Sequence, residues 1–439
     1  MIMNTLIFNT EKKLGKFKIL NAVNNGPVHK RYSNDQKRSN FEDFKRARIP
    51  YARNHDAAFF AGYGGEHAVD ITSIFCNFDA DVNDPASYDF ACTDEYILAT
   101  LEAGTETFYR LGQKIEHYIK KYNNFPPKDY HKWAQICEHI IRHYNEGWAN
   151  GYELNIQYWE IWNEPDLDPD DSDHKKTWGG TKLQFFDLFE VAAKHLKACF
   201  PNYKIGGPAL AYNEEWCEDF LCEMRKRGVE IDFFSWHIYC NEPILMIEKA
   251  ERIKAKLINY GYGDVEVILN EWNYVQGWVD EYVYSLECIA GIKGAAFTMS
   301  CMSLCQESDC VDMLMYYDAR PCVFNGMFDF YTLRPMKGYY PFLWYGGFYD
   351  LEHEIRAENK IKDIYSICGC DKDGKLCAVI THYSNNDEKD NEKIKIDFGK
   401  TGKYDIYLLD KDHSGELVAT TEDLTFDMPV HSCILIKEK

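Results

Sequence analysis

The 439-residue chain has no run of about eighteen uninterrupted apolar residues, the length a helix needs to cross a bilayer, so no membrane-spanning segment is expected. Its amino end, Met1 to Lys13, lacks the positive region, apolar core and small-residue cleavage site of a secretory leader, which makes the cytoplasm the expected compartment. Positive charge is scarce. Lys and Arg number 49 against 70 Asp and Glu, a formal charge of −21, and with no basic stripe neither nucleic acid nor an anionic membrane is an expected partner. The 16 cysteines include no CxxC pair and no Cys/His cluster at zinc spacing, so they read as reduced thiols. No Gly-x-Gly-x-x-Gly or phosphate loop follows a strand-like segment. The Asp-rich stretches also miss the calcium-loop pattern. After Asp166-x-Asp168-x-Asp170 the sixth position is Asp171 instead of Gly and the twelfth is Thr177 instead of Glu, and the cluster Asp79, Asp81, Asn83, Asp84 fails in the same way. Neither a metal nor a cofactor is expected.

What is present is an alternation. Strand-like segments occur at Phe17–Val23, Ile49–Asn54, Thr105–Tyr109, Gln157–Trp162, Tyr203–Gly207, Ile231–His237, Val265–Leu269 and Val311–Tyr317, with helical stretches between them. The clearest helix is His131–Asn150. Another opens on the capping box Thr181-x-x-Gln184. Eight such units in series predict an α/β fold, the TIM (β/α)8 barrel, whose chemistry sits on the loops after the strands. Beyond about Leu351 short alternating strands predict a small C-terminal β-sandwich. The expected division is a barrel over 17–350, a sandwich over 351–439, and residues 1–16 supplying a strand, Thr5–Phe8, to the sandwich. An insertion at 61–93 carries an apolar run, Val69–Phe75, that reads as a short hairpin over the barrel mouth.

Two strands end alike. Tyr158-Trp-Glu-Ile-Trp-Asn-Glu164-Pro and Val265-Glu-Val-Ile-Leu-Asn-Glu271-Trp each deliver an Asn-Glu pair at the carboxyl end, the fourth and seventh strands of the series. Both glutamates then face one mouth from opposite walls. Cleaving a glycosidic bond needs one carboxylic acid to protonate the leaving oxygen and one carboxylate to attack or to activate water. The acidic run Asp166, Asp168, Asp170, Asp171, Asp173 would raise a nearby carboxyl pKa and so suggests Glu164 as the acid. Arg53-Asn54-His55 ends the second strand and His237-x-Tyr239 the sixth, placing further polar groups at the same mouth. Trp178, Trp272 and Trp278 are candidate platforms for a sugar ring, with core packing as the alternative for each.

At these residues the chain resembles glycoside hydrolase family 39, within the clan of retaining barrel glycosidases. The resemblance rests on Trp162-Asn163-Glu164-Pro165, Asn270-Glu271-Trp272, Asn24-Asn25-Gly26-Pro27, Arg53-x-His55 and His237-x-Tyr239. It implies Glu164 as acid/base, Glu271 as nucleophile, Asn163 on the sugar 2-hydroxyl, and His55, His237 and Tyr239 around the first sugar. Arg53, Trp272 and Trp278 complete the expected substrate-binding set. The chain departs from the family pattern at Asn270, at Asp56, in the 61–93 insertion and at Met315-Tyr316-Tyr317-Asp318, where a Trp is expected. The resulting expectation is a retaining exo-β-xylosidase or relative acting on plant-derived oligosaccharides. α-L-Arabinofuranosidase, β-galactosidase and β-glucosidase activities stay open, as does an inverting mechanism, and a catalytically silent carbohydrate-binding barrel is the rival from another class. A homo-oligomer is also left open.

Overall fold

The computed structural model describes residues 3–28, 39–55 and 69–439. After a first strand, β1 (Asn4–Ile7), eight parallel strands close into a barrel: β2 (Ile19–Asn24), β3 (Tyr51–Arg53), β4 (Glu106–Leu111), β5 (Tyr158–Ile161), β6 (Lys204–Leu210), β7 (Phe233–Cys240), β8 (Glu266–Tyr274) and β9 (Met313–Tyr316). The ring is completed by β2 pairing with β9, Ile19 beside Met313. All eight strand-like segments of the sequence are barrel strands. Around them run α1 (Phe41–Ala47), α2 (Ile71–Ile74), α3 (Ala91–Glu102), α4 (Tyr130–Glu146), α5 (Lys182–Cys199), α6 (Glu214–Lys226), α7 (Ile244–Asn259), α8 (Tyr282–Ala290), α9 (Ile292–Glu307) and α10 (Tyr339–Gly347). The capping box at Thr181 and Gln184 is formed. Helix α4 stops four residues before the sequence pattern suggests, because Gly147 takes a left-handed conformation (φ 71°) and closes it.

The barrel interior is layered, as strand alternation requires. Ala22, Phe108, Tyr158, Phe233, Ile268 and Met313 form an apolar floor, with the Phe108 and Tyr158 rings stacked at 5.1 Å. Two residues further along β2, β5, β7 and β8 stand Asn24, Glu160, Ser235 and Asn270, all fully buried. The outward residues, Trp159, Trp236 and Leu269 among them, join the large core between strands and helices.

The run Val69–Phe75 is not a hairpin. It forms α2, a single turn with Ile71 and Ile74 buried, and its first amide donates to the Gly112 carbonyl (3.0 Å). Asp70 anchors the turn by accepting from Arg110 Nη2 at 3.2 Å and from the Lys114 amide at 3.0 Å. The apolar side chains therefore meet the end of β4 at helical spacing. Residues 61–68 of the expected insertion, and Asp56, lie outside the described residues.

Beyond the barrel come β10 (His353–Glu354), β11 (Ile364–Cys370), β12 (Leu376–His382), β13 (Glu392–Asp397), β14 (Tyr404–Leu409), β15 (Ser414–Thr421), β16 (Thr425–Met428) and β17 (Ser432–Glu438). They make a six-stranded sheet ordered β10-β11-β12-β17-β14-β15 and a three-stranded sheet β1-β13-β16, and Leu6, Phe8, Ile394, Ile406 and Ile436 share their core. Among the described residues no single helix is long and apolar enough to cross a membrane, and α8 with α9 pass that test only as a pair bent by 78°. All 16 cysteines are free thiols.

Candidate active site

Strict alternation along β8 would send Glu271 outward, opposite to Asn270. A β-bulge prevents this. Trp236 pairs with Leu269 and His237 with Glu271, so β8 spends one extra residue, Asn270, against β7. Both Asn270 and Glu271 therefore turn into the barrel, and every later residue of β8 changes face. That is why Trp272, expected as a sugar platform, is fully buried among Phe297 and Tyr316 on the helix side. Trp178 is likewise core, edge-on to Trp162 and Phe185.

Glu164 arrives by a different device. Past β5 the backbone takes positive φ at Trp162 (72°) and Glu164 (47°), conformations costly for residues with a side chain and held here by surrounding bonds. The Trp162 amide donates to Leu111 O at 2.7 Å, the Glu164 amide to Ala209 O at 3.0 Å, and the Thr177 hydroxyl to Glu164 O. Glu164 is the more open carboxylate, its side chain 12% exposed against 5% for Glu271.

His237 sits between the two, Nδ1 lying 2.8 Å from Glu164 Oε1 and 3.6 Å from Glu271 Oε2. One ligating atom from each of the three residues lies within 4.8 Å of the others. Burial lowers the His237 pKa to about 4, the Glu271 charge opposing the shift. A neutral imidazole can donate from Nδ1 to a Glu164 carboxylate or accept the proton of its acid form, so this contact suits both states of Glu164. Glu271 accepts from Tyr239 Oη at 2.8 Å and from Arg53 Nη1 at 2.9 Å, and His55 Nε2 stands 3.3 Å away. Burial raises the Glu271 carboxyl above its usual value; His237 pulls it back, Glu164 pushes it further, and Arg53 and Tyr239 favour the anion.

Arg53 was expected to touch substrate. Instead it is fully buried beneath the site and divides its donors among four partners: Glu160 Oε2 (2.6 Å), Asn24 Oδ1 (3.1 Å), Glu271 Oε1 (2.9 Å) and Asn163 Oδ1 (2.7 Å). Asn163, 2% exposed, is thus held from below. Glu160, unremarked in the sequence, accepts also from Ser235 Oγ (2.6 Å) and Asn270 Nδ2 (2.5 Å). Glu160→Ala should strand a buried guanidinium and lower folding stability by roughly 3–5 kcal/mol. A urea midpoint equal to that of the parent would show that Glu271 alone suffices as the counter-charge.

The acidic run after Glu164 is consumed in structure. Asp166 accepts from the amides of Ala211, Tyr212 and Asn213 at 2.8–2.9 Å, Asp168 pairs with Lys176 at 2.8 Å, and Asp170 accepts from the Lys182 amide at 2.8 Å. Hydrogen bonds hold these carboxylates as anions, and the charge of Asp166 is felt at His237 beside Glu164. Asp81 and Asp84 likewise cap their own turns.

Above the carboxylates opens a pocket of about 610 Å³, lined by His55, Glu164, His237, Tyr239, Glu271 and Trp278 among others. Trp278, 56% exposed, meets Tyr239 edge-on at 5.3 Å and is the expected platform that does reach the pocket. Tyr317, noted in the sequence only as a departure from the family pattern, and Phe324, missed there, line the same wall and pack against each other at 5.8 Å. Sequence reasoning also missed Ile115, Leu167 and Lys249, the first two on loops without periodicity and the last on α7.

The chain is similar to known proteins in sequence and in fold. The chain is 25% identical over 353 residues to a β-xylosidase of Geobacillus stearothermophilus, covering 71% of this chain and 65% of the relative. It is 30% identical over 211 residues to a β-xylosidase of Caldicellulosiruptor saccharolyticus, covering 43% and 41%. The chain thus spans less than two thirds of the length of either curated relative. A solved structure of a glucosidase from Croceicoccus marinus superposes with a TM-score of 0.78 at 21% identity, over 100% of this chain and 99% of that one, and shares its fold. The profile of the glycosyl hydrolases of family 39 matches residues 51–286, more than half of the sequence and the stretch holding both strand-end glutamates. With barrel, paired carboxylates and profile in agreement, the chain belongs to glycosyl hydrolase family 39.

Proposed function

We propose that this chain is a retaining exo-glycosidase that cleaves β-xylosidic or stereochemically related bonds of plant-derived oligosaccharides by double displacement. Glu164 is the acid/base, and Glu271, held by Arg53 and Tyr239, is the nucleophile. The observation that carries the reading is the approach of the two carboxylates to within 4.8 Å, each beside His237 Nδ1. Retention needs carboxyl groups ~5–5.5 Å apart so that one can bond directly to the sugar, whereas inversion leaves ~6.5–9.5 Å for a water. The β-xylosidase activity of both curated relatives favours a pentose. In this reading His55, His237 and Tyr239 contact the sugar hydroxyls, Trp278 offers a ring face, and Asn163 presents its amide to the 2-hydroxyl.

Proton NMR of the first-formed sugar tests it. Across a panel of aryl β-xyloside, β-glucoside, β-galactoside and α-L-arabinofuranoside substrates, the best should release a product of unchanged anomeric configuration before mutarotation. An inverted first product would replace the nucleophile with a base, and no turnover on any member would favour a sugar-binding barrel without catalysis.

A further inference from the structure

An acid/base carboxyl marks where the leaving group lies, so the wall around Glu164 faces the aglycone. That wall is built from three loops stitched to one another through their polar atoms. Within one loop the Leu167 amide donates to Glu164 O (3.1 Å); between loops the Glu116 amide donates to Lys176 O (2.8 Å), and Asp166 takes the amides of Ala211 and Tyr212. The Tyr212 hydroxyl donates to Leu167 O at 3.3 Å. The apolar groups that these loops present to the pocket are Ile115, Leu167, Ala211 and the Tyr212 ring.

The two lysines of the pocket are already engaged with partners within the protein. Lys176 Nζ is on Asp168 Oδ1 at 2.8 Å. Lys249 Nζ, buried, donates to Ala211 O (3.0 Å) and His237 O (2.7 Å), and burial lowers its pKa to about 8. His117 stands exposed at the outer lip. A sugar hydroxyl set against Ile115, Leu167 or Ala211 would lose water without an equivalent partner, a loss on the order of tenfold in affinity per hydroxyl. A hydrocarbon surface would gain from the same contact.

We propose that the leaving-group side of this pocket is an apolar subsite that takes an alkyl or aryl alcohol in preference to another sugar, so that glycosides of such alcohols, more than the oligosaccharides of the reading above, are its better substrates. The inference rests on Glu164 being the acid/base. Its test compares methyl, hexyl and benzyl glycosides of one glycone with the disaccharide of that glycone, using the full chain. Methanol and hexanol are leaving groups of nearly equal basicity, so a kcat/KM ratio of hexyl to methyl at or above roughly tenfold reports apolar contact. The hexyl glycoside should also outrun the disaccharide, although neighbouring oxygens make a sugar hydroxyl the better leaving group. Leu167→Asn and Ile115→Asn should each pull the hexyl-to-methyl ratio toward one, and should either variant fail to fold, the parental ratios decide alone. Turnover of the 4-nitrophenyl glycoside with a hexyl-to-methyl ratio near one, or a disaccharide cleaved as fast as the hexyl glycoside, overturns the apolar subsite and leaves the proposed function standing. Absence of turnover on every glycoside overturns both.

Discussion

Glu271→Ala is expected to lose turnover on the order of 10⁶-fold, the scale seen when a covalent hydrolase loses its nucleophile. Without the carboxylate no glycosyl-enzyme can form. Azide, small and anionic, should enter the space left beside Arg53 and Tyr239 and attack from the nucleophile's face, yielding a glycosyl azide of inverted configuration. Folding should survive, because Glu160 still answers the Arg53 charge at 2.6 Å. Activity of the variant comparable to that of the parent on the same aryl glycoside, without azide, would remove Glu271 from the mechanism.

For Glu164→Ala the loss depends on the substrate. Leaving groups that need a proton should suffer by ~10²–10⁴, the usual contribution of general acid–base help. Acidic phenols depart without that proton, so their first step should be far less affected. Hydrolysis of the intermediate loses its base in either case. A covalent species should therefore accumulate, seen as a burst of phenol, a low KM and a mass increase of one sugar residue. Equal losses on both kinds of substrate with no burst would make Glu164 structural and place the acid elsewhere.

The barrel was legible in the sequence because most of its strands are buried on both faces and read as compact, largely apolar runs. Glu164 and Glu271 stood out by the same rule, as charges abutting such runs. The direction in which a side chain points was less legible. From alternation alone Asn270 and Glu271 lie on opposite faces, and only pairing with β7 reveals the extra residue that brings both inward and turns Trp272 away. Arg53 looked like a substrate contact because nothing local shows that Glu160, 107 positions later, lies beneath it. Strand β15 is hard to read in the sequence because Glu416 to Thr420 are exposed, so no hydrophobic alternation marks it. The helical turn α2 was misread as a hairpin because a short apolar run fits either period, and its bonds to Gly112 and Arg110 decide between them.

Strand β1 pairs in parallel with β13, Asn4 beside Ile394, so the two partners lie about 390 residues apart in the chain. Synthesis at roughly 5–20 residues per second separates their appearance by about 20–80 s. During that interval the barrel can close, since β2 and β9 lie within it, while β1 waits with an unpaired edge and with Leu6 and Phe8 uncovered. Nascent chains stalled anywhere between β9 and β13 would carry a finished barrel and an open strand seeking a partner. Completion of the small sheet is then a late event of folding, and the wait before it leaves β1 open to association between neighbouring nascent chains.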